Sequence, residues 1–148
     1  SMIICKSIIG TPKPQPRAKA RAWGGRAMVY NPKTADAWKA SVAESLQEYR
    51  GVALEGRIWI NLEFRMLRPK SHFGTGRNAE VLKKKAPEYH IQTPDIDNLV
   101  KSTMDAITGI NLWHDDCQVD NIIARKIWVD SDPGVNLIIE QKSNNKQK

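Results

Sequence analysis

Along residues 57–67, "RIWINLEFRML", apolar and polar side chains alternate, and β-branched and aromatic types dominate the apolar set. That period predicts a strand with one buried and one solvated face. Residues 2–9 are mostly β-branched or apolar and stop at Gly10, which reads as a first strand. From Thr34 to about Tyr49 the apolar positions Ala35, Trp38, Val42 and Leu46 fall at helical spacing, and Gly51 ends the run. From Ile96 the set Leu99, Val100, Thr103, Met104 and Ile107 predicts a second helix of about 13 residues, closed by Gly109. "QVDNIIARKIWVD" (118–130) and "VNLIIEQ" (135–141) read as a strand pair across the turn "SDPG".

Two segments lack such a period. Residues 11–33 hold four prolines and the pair Gly24–Gly25 among basic residues, which predicts a stiff extended loop with room for a short hairpin at the glycines. Residues 68–92 mix Gly, Pro and many Lys or Arg, and read as a mobile basic excursion with a short helical turn near 78–85. The tail, 142–148, is polar and is expected to be disordered. The order strand, basic loop, helix, strand, loop, helix, strand, strand predicts one small α+β, or mixed α/β, domain in which a mixed sheet is covered by two helices.

Length agrees with that, since 148 residues at 41% apolar composition support one core and not two. Ser1 ahead of Met2 reads as an expression scar. No apolar run approaches the roughly 20 residues of a membrane span, and "MIICKSII" lacks the order of a signal peptide, so a cytoplasmic protein without membrane attachment is expected. Cys5 and Cys117 have no CxxC spacing, which argues against a disulfide framework or a zinc site and predicts reduced, partly buried thiols. His72, His90 and His114 show no i, i+4 pair for a zincin-type centre.

Charge changes the picture. Residues 1–35 contain seven bases (Lys6, Lys13, Arg17, Lys19, Arg21, Arg26, Lys33) and no acid, whereas residues 36–148 hold sixteen of each, so the net charge of +7 comes from the first quarter of the chain. A solubilising tail would account for such a block. A polyanion partner, with phosphate as the usual anion, accounts for it as well.

In "TPDIDNLVKSTMDAI" (93–107) Asp95 and Asp97 sit where a helix begins, with Lys101 one turn in and Asp105 beyond it; Asp115 and Asp116 follow where the chain returns from that helix. Each residue has an ordinary reading: Asp is favoured at N-caps and first turns, Lys101 suits a surface ion pair, and Asp115 and Asp116 suit a turn. Together they suggest a cation site, because unit charges ~4 Å apart repel by about 4 kcal/mol at an effective dielectric of 20. Mg²⁺ suits oxygen donors supplemented by water and substrate phosphate. Basic side chains would then neutralise flanking phosphates while the carboxylate-bound ion acts on the scissile one, which is nuclease chemistry. Lys101 would stabilise the charge developing on phosphorus or orient the attacking water.

"PDIDNLVKSTMDAI" followed by "LWHDDCQV" resembles the core of the RusA family of Holliday-junction endonucleases, found in bacterial and prophage sequences. "GTPKPQPRAKARAWGGRAMVYNPKTADAW" is similar to that family's basic, proline-containing loop. The resemblance implies a RusA-like fold and a homodimeric enzyme dependent on Mg²⁺, with Mn²⁺ as a substitute and no organic cofactor. It would nick four-way DNA junctions symmetrically. It also implies that Asp95, Asp97 and Asp116 are the catalytic, metal-holding acids, that Lys101 is the catalytic lysine, and that Asp115 supports the metal site. Lys13, Arg17, Lys19, Arg21, Arg26 and Lys33 of the basic loop are the expected DNA contacts. Two other readings remain at this point: a nuclease for other branched DNA, and a non-catalytic basic DNA-binding protein whose aspartates are caps.

Overall fold

The computed structural model describes residues 1–145. Strand β1 (Ile3–Ile9) leads into the basic loop, within which β2 (Lys19–Trp23) and β3 (Arg26–Tyr30) form a two-stranded ribbon. Helix α1 (Asp36–Ser45), strand β4 (Arg57–Leu67), helix α2 (Ile96–Gly109) and strands β5 (Val119–Val129) and β6 (Gly134–Lys142) follow. The main sheet has the order β1-β6-β4-β5, with β6 antiparallel to both neighbours and β4 parallel to β5. A parallel pair needs a long crossover, and the segment carrying α2 supplies it.

Alternation in β4 buries Ile58, Ile60, Leu62, Phe64 and Met66, which meet Ile4 and Ile8 of β1 and Val135, Leu137 and Ile139 of β6 on one face. Both helices belong to the same core, through Trp38 and Val42 of α1 and Leu99 and Ile107 of α2. Each such side chain contributes about 1.5–3 kcal/mol on full burial. Trp38 Nε1 donates to Thr103 Oγ1 at 3.1 Å, which satisfies the buried indole and fixes α1 against α2. At Gly134 a Cβ would lie 1.8 Å from the Ile8 carbonyl oxygen, so only glycine allows β6 to approach β1 there.

The α+β domain with one mixed sheet and two helices is therefore as expected, and so is the hairpin at Gly24–Gly25, whose φ values of 55 and 74 suit a tight turn between twisted strands. The strand pairing is different. β5 and β6 are consecutive across "SDPG" but not paired, because β4 lies between them. A short turn fixes only the distance between strand ends and not their pairing, and β4, whose alternating apolar face joins the core, takes the place between them.

The predicted first helix is split into α1 and a 3₁₀ turn at Gln47–Tyr49. Residues 68–92 are also a folded loop, whose 3₁₀ turns lie at Lys70–His72 and Gly76–Asn78, so the expected turn near 78–85 falls earlier and meets that range only at Asn78. A bridge between Phe73 and Leu82 closes the loop, and Arg68 donates to the Pro87 carbonyl at 2.8 Å. Both cysteines are exposed, Cys5 on the outer face of β1 and Cys117 in the turn before β5, so their predicted partial burial is not found. Of the tail, Lys142 belongs to β6, and 146–148 lie outside the described residues.

Candidate active site

The N-terminus of α2 is held by the strap that precedes it. His90 is buried with 6% exposure against Trp128 of β5, ring centroids 4.4 Å apart. Its pKa is lowered, first by burial and then by the charge of Lys126, so it packs as a neutral ring. Lys126 Nζ donates to the carbonyls of Gln92 at 2.7 Å and Pro94 at 2.9 Å. Burial lowers the Lys126 pKa, and the charge of Asp95 opposes that shift, which puts Asp95 within electrostatic reach of the ammonium.

Asp95 is the N-cap residue of α2, with extended backbone (φ −70, ψ 140), yet its side chain makes no capping hydrogen bond. The carboxylate is exposed and left to other partners. Asp97, exposed in the first turn, accepts from the Asn98 N–H through Oδ1 at 2.9 Å. The positive end of the helix dipole favours both negative charges. Lys101 Nζ lies 2.6 Å from Asp105 Oδ1. Its pKa is raised, first by that hydrogen bond, against burial as the next largest effect, and with further support from the charges of Asp105 and Asp116. Asp116, on the turn after α2, thus acts on the same lysine across some fifteen residues of chain.

Asp115 behaves differently. Its Oδ1 accepts from the Cys117 N–H at 2.9 Å, while Gln118 Oε1 accepts from the N–H groups of His114 (2.8 Å) and Asp115 (3.0 Å), a reciprocal capping box on the 3₁₀ turn Asp116–Gln118. The Cys117 N–H is the main cause of the lowered Asp115 pKa. Gln118 Nε2 also donates to the carbonyls of Leu54 and Gly56 at 2.8 and 3.0 Å, which locks the turn to the body. Of these five aspartates, Asp115 is the one whose side chain serves as a cap. His114 is exposed, 3.9 Å from Glu55.

The basic loop is rooted on α2. Ser102 Oγ, fully buried, donates to the Lys13 carbonyl at 2.6 Å, and the Gln15 N–H donates to the Asn98 carbonyl at 2.9 Å. Between loop and strap lies a cavity of about 450 Å³, lined among others by Lys13, His90, Pro94 and Trp128. Arg17 and Lys33 are exposed beside the ribbon, and Lys19, Arg21 and Arg26 are exposed on it.

The structure puts Asp95 and Asp97 at the start of α2, pairs Lys101 with Asp105 further along it, sets Asp116 within electrostatic reach of Lys101, and roots Lys13 on the same helix. It does not bring three acids into one cluster: among the described residues no three His, Cys, Asp or Glu side chains converge closely enough to hold a metal ion. The donor set is nonetheless oxygen only, which suits a hard cation that keeps waters and takes phosphate as a ligand, with Asp95 and Asp97 as the exposed protein donors.

Two contributors lay outside the sequence reading. Lys126 reads as one of the polar positions of a strand, and nothing local shows that it reaches a strap more than thirty residues back. Ser102 carried a signal, a small polar residue on the buried side of an amphipathic helix.

A small α+β domain with carboxylates and a lysine at a helix start, approached by a basic loop, belongs to the nucleic-acid-cleaving enzymes in the class it defines. Residues 10–140 match the family model of endodeoxyribonuclease RusA, and the chain belongs to that family. It is accordingly a DNA endonuclease, and membership implies branched DNA as its substrate. No curated protein matches the chain. Among the described residues no helix is long and apolar enough to cross a membrane.

Proposed function

We propose that the protein is a Mg²⁺-dependent resolvase that cuts four-way DNA junctions by paired symmetric nicks, as a homodimer. The observation that carries this reading is Asp95: it occupies an N-cap position, yet its carboxylate makes no capping bond, and Asp97, one turn before Lys101, follows two residues on. Asp95 and Asp97, with Asp116 nearby, would hold the cation, which lowers the pKa of a water and polarises the scissile phosphate when bound. Mn²⁺ is the expected substitute.

The chain's own residues do the rest. Lys101 stays protonated because Asp105 holds it, and it offers a fixed positive charge to the charge developing on phosphorus. Lys126 keeps the Gln92–Pro94 strap, and therefore Asp95, in register with α2. Lys13, Arg17, Lys19, Arg21, Arg26 and Lys33 neutralise phosphates of the arms.

One acid cluster cuts one strand, so a symmetric pair of cuts calls for a two-fold dimer. The outer sheet face, where Ile3, Trp59, Ile123 and Ile138 are exposed among polar pairs such as Glu63–Arg125, is a surface suited to a second copy. A bacterial or prophage-encoded protein of the cytoplasm goes with this reading.

The test is an end-labelled immobile four-way junction incubated with wild type and Asp97→Asn, with and without Mg²⁺, beside a flap and a linear duplex. Paired nicks on the junction, by wild type only and with metal only, are expected. Equal cutting of all three substrates would replace junction resolution with a broader branched-DNA or duplex activity, and intact strands throughout would remove the catalytic reading.

A further inference from the structure

The β2–β3 ribbon has two unlike faces. Its register pairs Lys19 with Tyr30, Arg21 with Met28 and Trp23 with Arg26, and the alternate pairs are Ala20 with Val29 and Ala22 with Ala27. Directly paired residues share a face, so three cations and the three largest side chains all project from one side, and only alanines and a valine from the other. All ten strand residues are exposed, Trp23 at 68%, and the Arg21 guanidinium lies 6.0 Å from the Trp23 ring centroid.

An isolated two-stranded ribbon is marginal in water, so this one gains from a partner. Three cations with no acid anywhere in residues 1–35 select a polyanion. Phosphates alone would leave Trp23, Met28 and Tyr30 without a use, whereas aromatic groups interleaved with cations suit bases whose faces are open, with phosphates alongside. Continuous duplex hides base faces in its stack. A branch point exposes them.

We propose that this face is a stacking platform for bases unstacked at the branch point, with Trp23 and Tyr30 against base faces and Lys19, Arg21 and Arg26 on the flanking phosphates. The ribbon then supplies the preference for branched over continuous DNA. This rests on the DNA-cleaving reading above. The placement suits it: Gln15 is bonded to Asn98 of α2, and the four residues from there to Lys19 span at most about 14 Å, so the platform is rooted beside the candidate acids.

The experiment measures binding in EDTA, where cutting cannot interfere, of a labelled four-way junction and a linear duplex of equal length. It compares wild type, the double variant Trp23→Ala with Tyr30→Ala, and Arg21→Ala. The double variant is expected to lose about 10-fold or more in junction affinity and less than about 2-fold on duplex, since each stacked base contributes about 5-fold or more. Its melting temperature should hold, because no ribbon side chain belongs to the core. Arg21→Ala is expected to weaken both substrates, and a 2-aminopurine at the branch point is expected to change emission with wild type but not with the double variant. A wild type that prefers junctions, with a double variant that keeps the preference, overturns the platform and leaves the nuclease reading standing. A double variant that changes from dimer to monomer in sedimentation also overturns it and makes the ribbon a self-association surface. A wild type that binds neither DNA overturns both readings.

Discussion

Lys126, on the edge strand β5, donates to the carbonyl of Pro94 at 2.9 Å, one residue ahead of Asp95. The sheet therefore grips the chain at the point where the candidate acids begin. Replacing Lys126 with Met removes both carbonyl bonds, and charge-assisted bonds of this kind contribute about 1.5–3 kcal/mol each at most. Cleavage is expected to fall at least 10-fold while junction binding in EDTA changes little, measured by single-turnover cleavage beside thermal melting.

Asp95 and Asp115 separate the catalytic and capping roles. Asp95→Asn removes a charge that makes no capping bond, so stability should fall by no more than about 1 kcal/mol, the loss of its helix-dipole interaction, while cleavage is lost. Asp115→Ala should lower the melting temperature by opening the capping box. The Asp115 pKa is depressed in the folded state, so the cap's contribution is present above the unfolded value and is lost as pH falls through the folded one. The Cys117 amide resonance should therefore titrate below pH 3.8, the ordinary value, and an unshifted titration would remove the cap from the account.

For Lys101 the sign is opposite. Its folded pKa is raised above 10.5, so the ammonium persists beyond the usual range and any loss of rate tied to it lies above that pH. Asp105→Asn removes the largest cause of the shift and should move that loss to lower pH in a pH–rate profile. Lys101→Met should cost about 10²–10³ in turnover.

Neutralising Arg17, Lys19 and Arg21 together should weaken DNA binding across sequences and flatten the plot of log affinity against log salt by roughly 0.9 per lost phosphate contact. An unchanged slope would move the DNA path away from the basic loop.

Ser102→Ala removes the bond to the Lys13 carbonyl. A loss of about 1 kcal/mol in stability is expected, with weaker junction binding because the basic loop loses its root on α2. Unchanged binding at unchanged salt would show that the second tie, from Gln15 to Asn98, holds the loop alone.

What the sequence determined by itself was local. Alternation at period two named β4, helical spacing placed α1 and α2, and the Gly24–Gly25 pair marked the hairpin, because each depends on neighbours a few residues apart. The aspartates and Lys101 were legible for the same reason, as residue types at fixed offsets from a helix start. Tertiary structure decided what depends on distant chain: that β4 separates β5 from β6, and that Lys126 holds the strap before Asp95, whereas the Asp115 cap is itself local, made with Cys117 and Gln118. Residues 68–92 show the boundary most clearly, since a loop without local periodicity is folded by the Phe73–Leu82 bridge, Arg68 and the burial of His90. Those contacts join residues with no shared local pattern, and only packing brings them together.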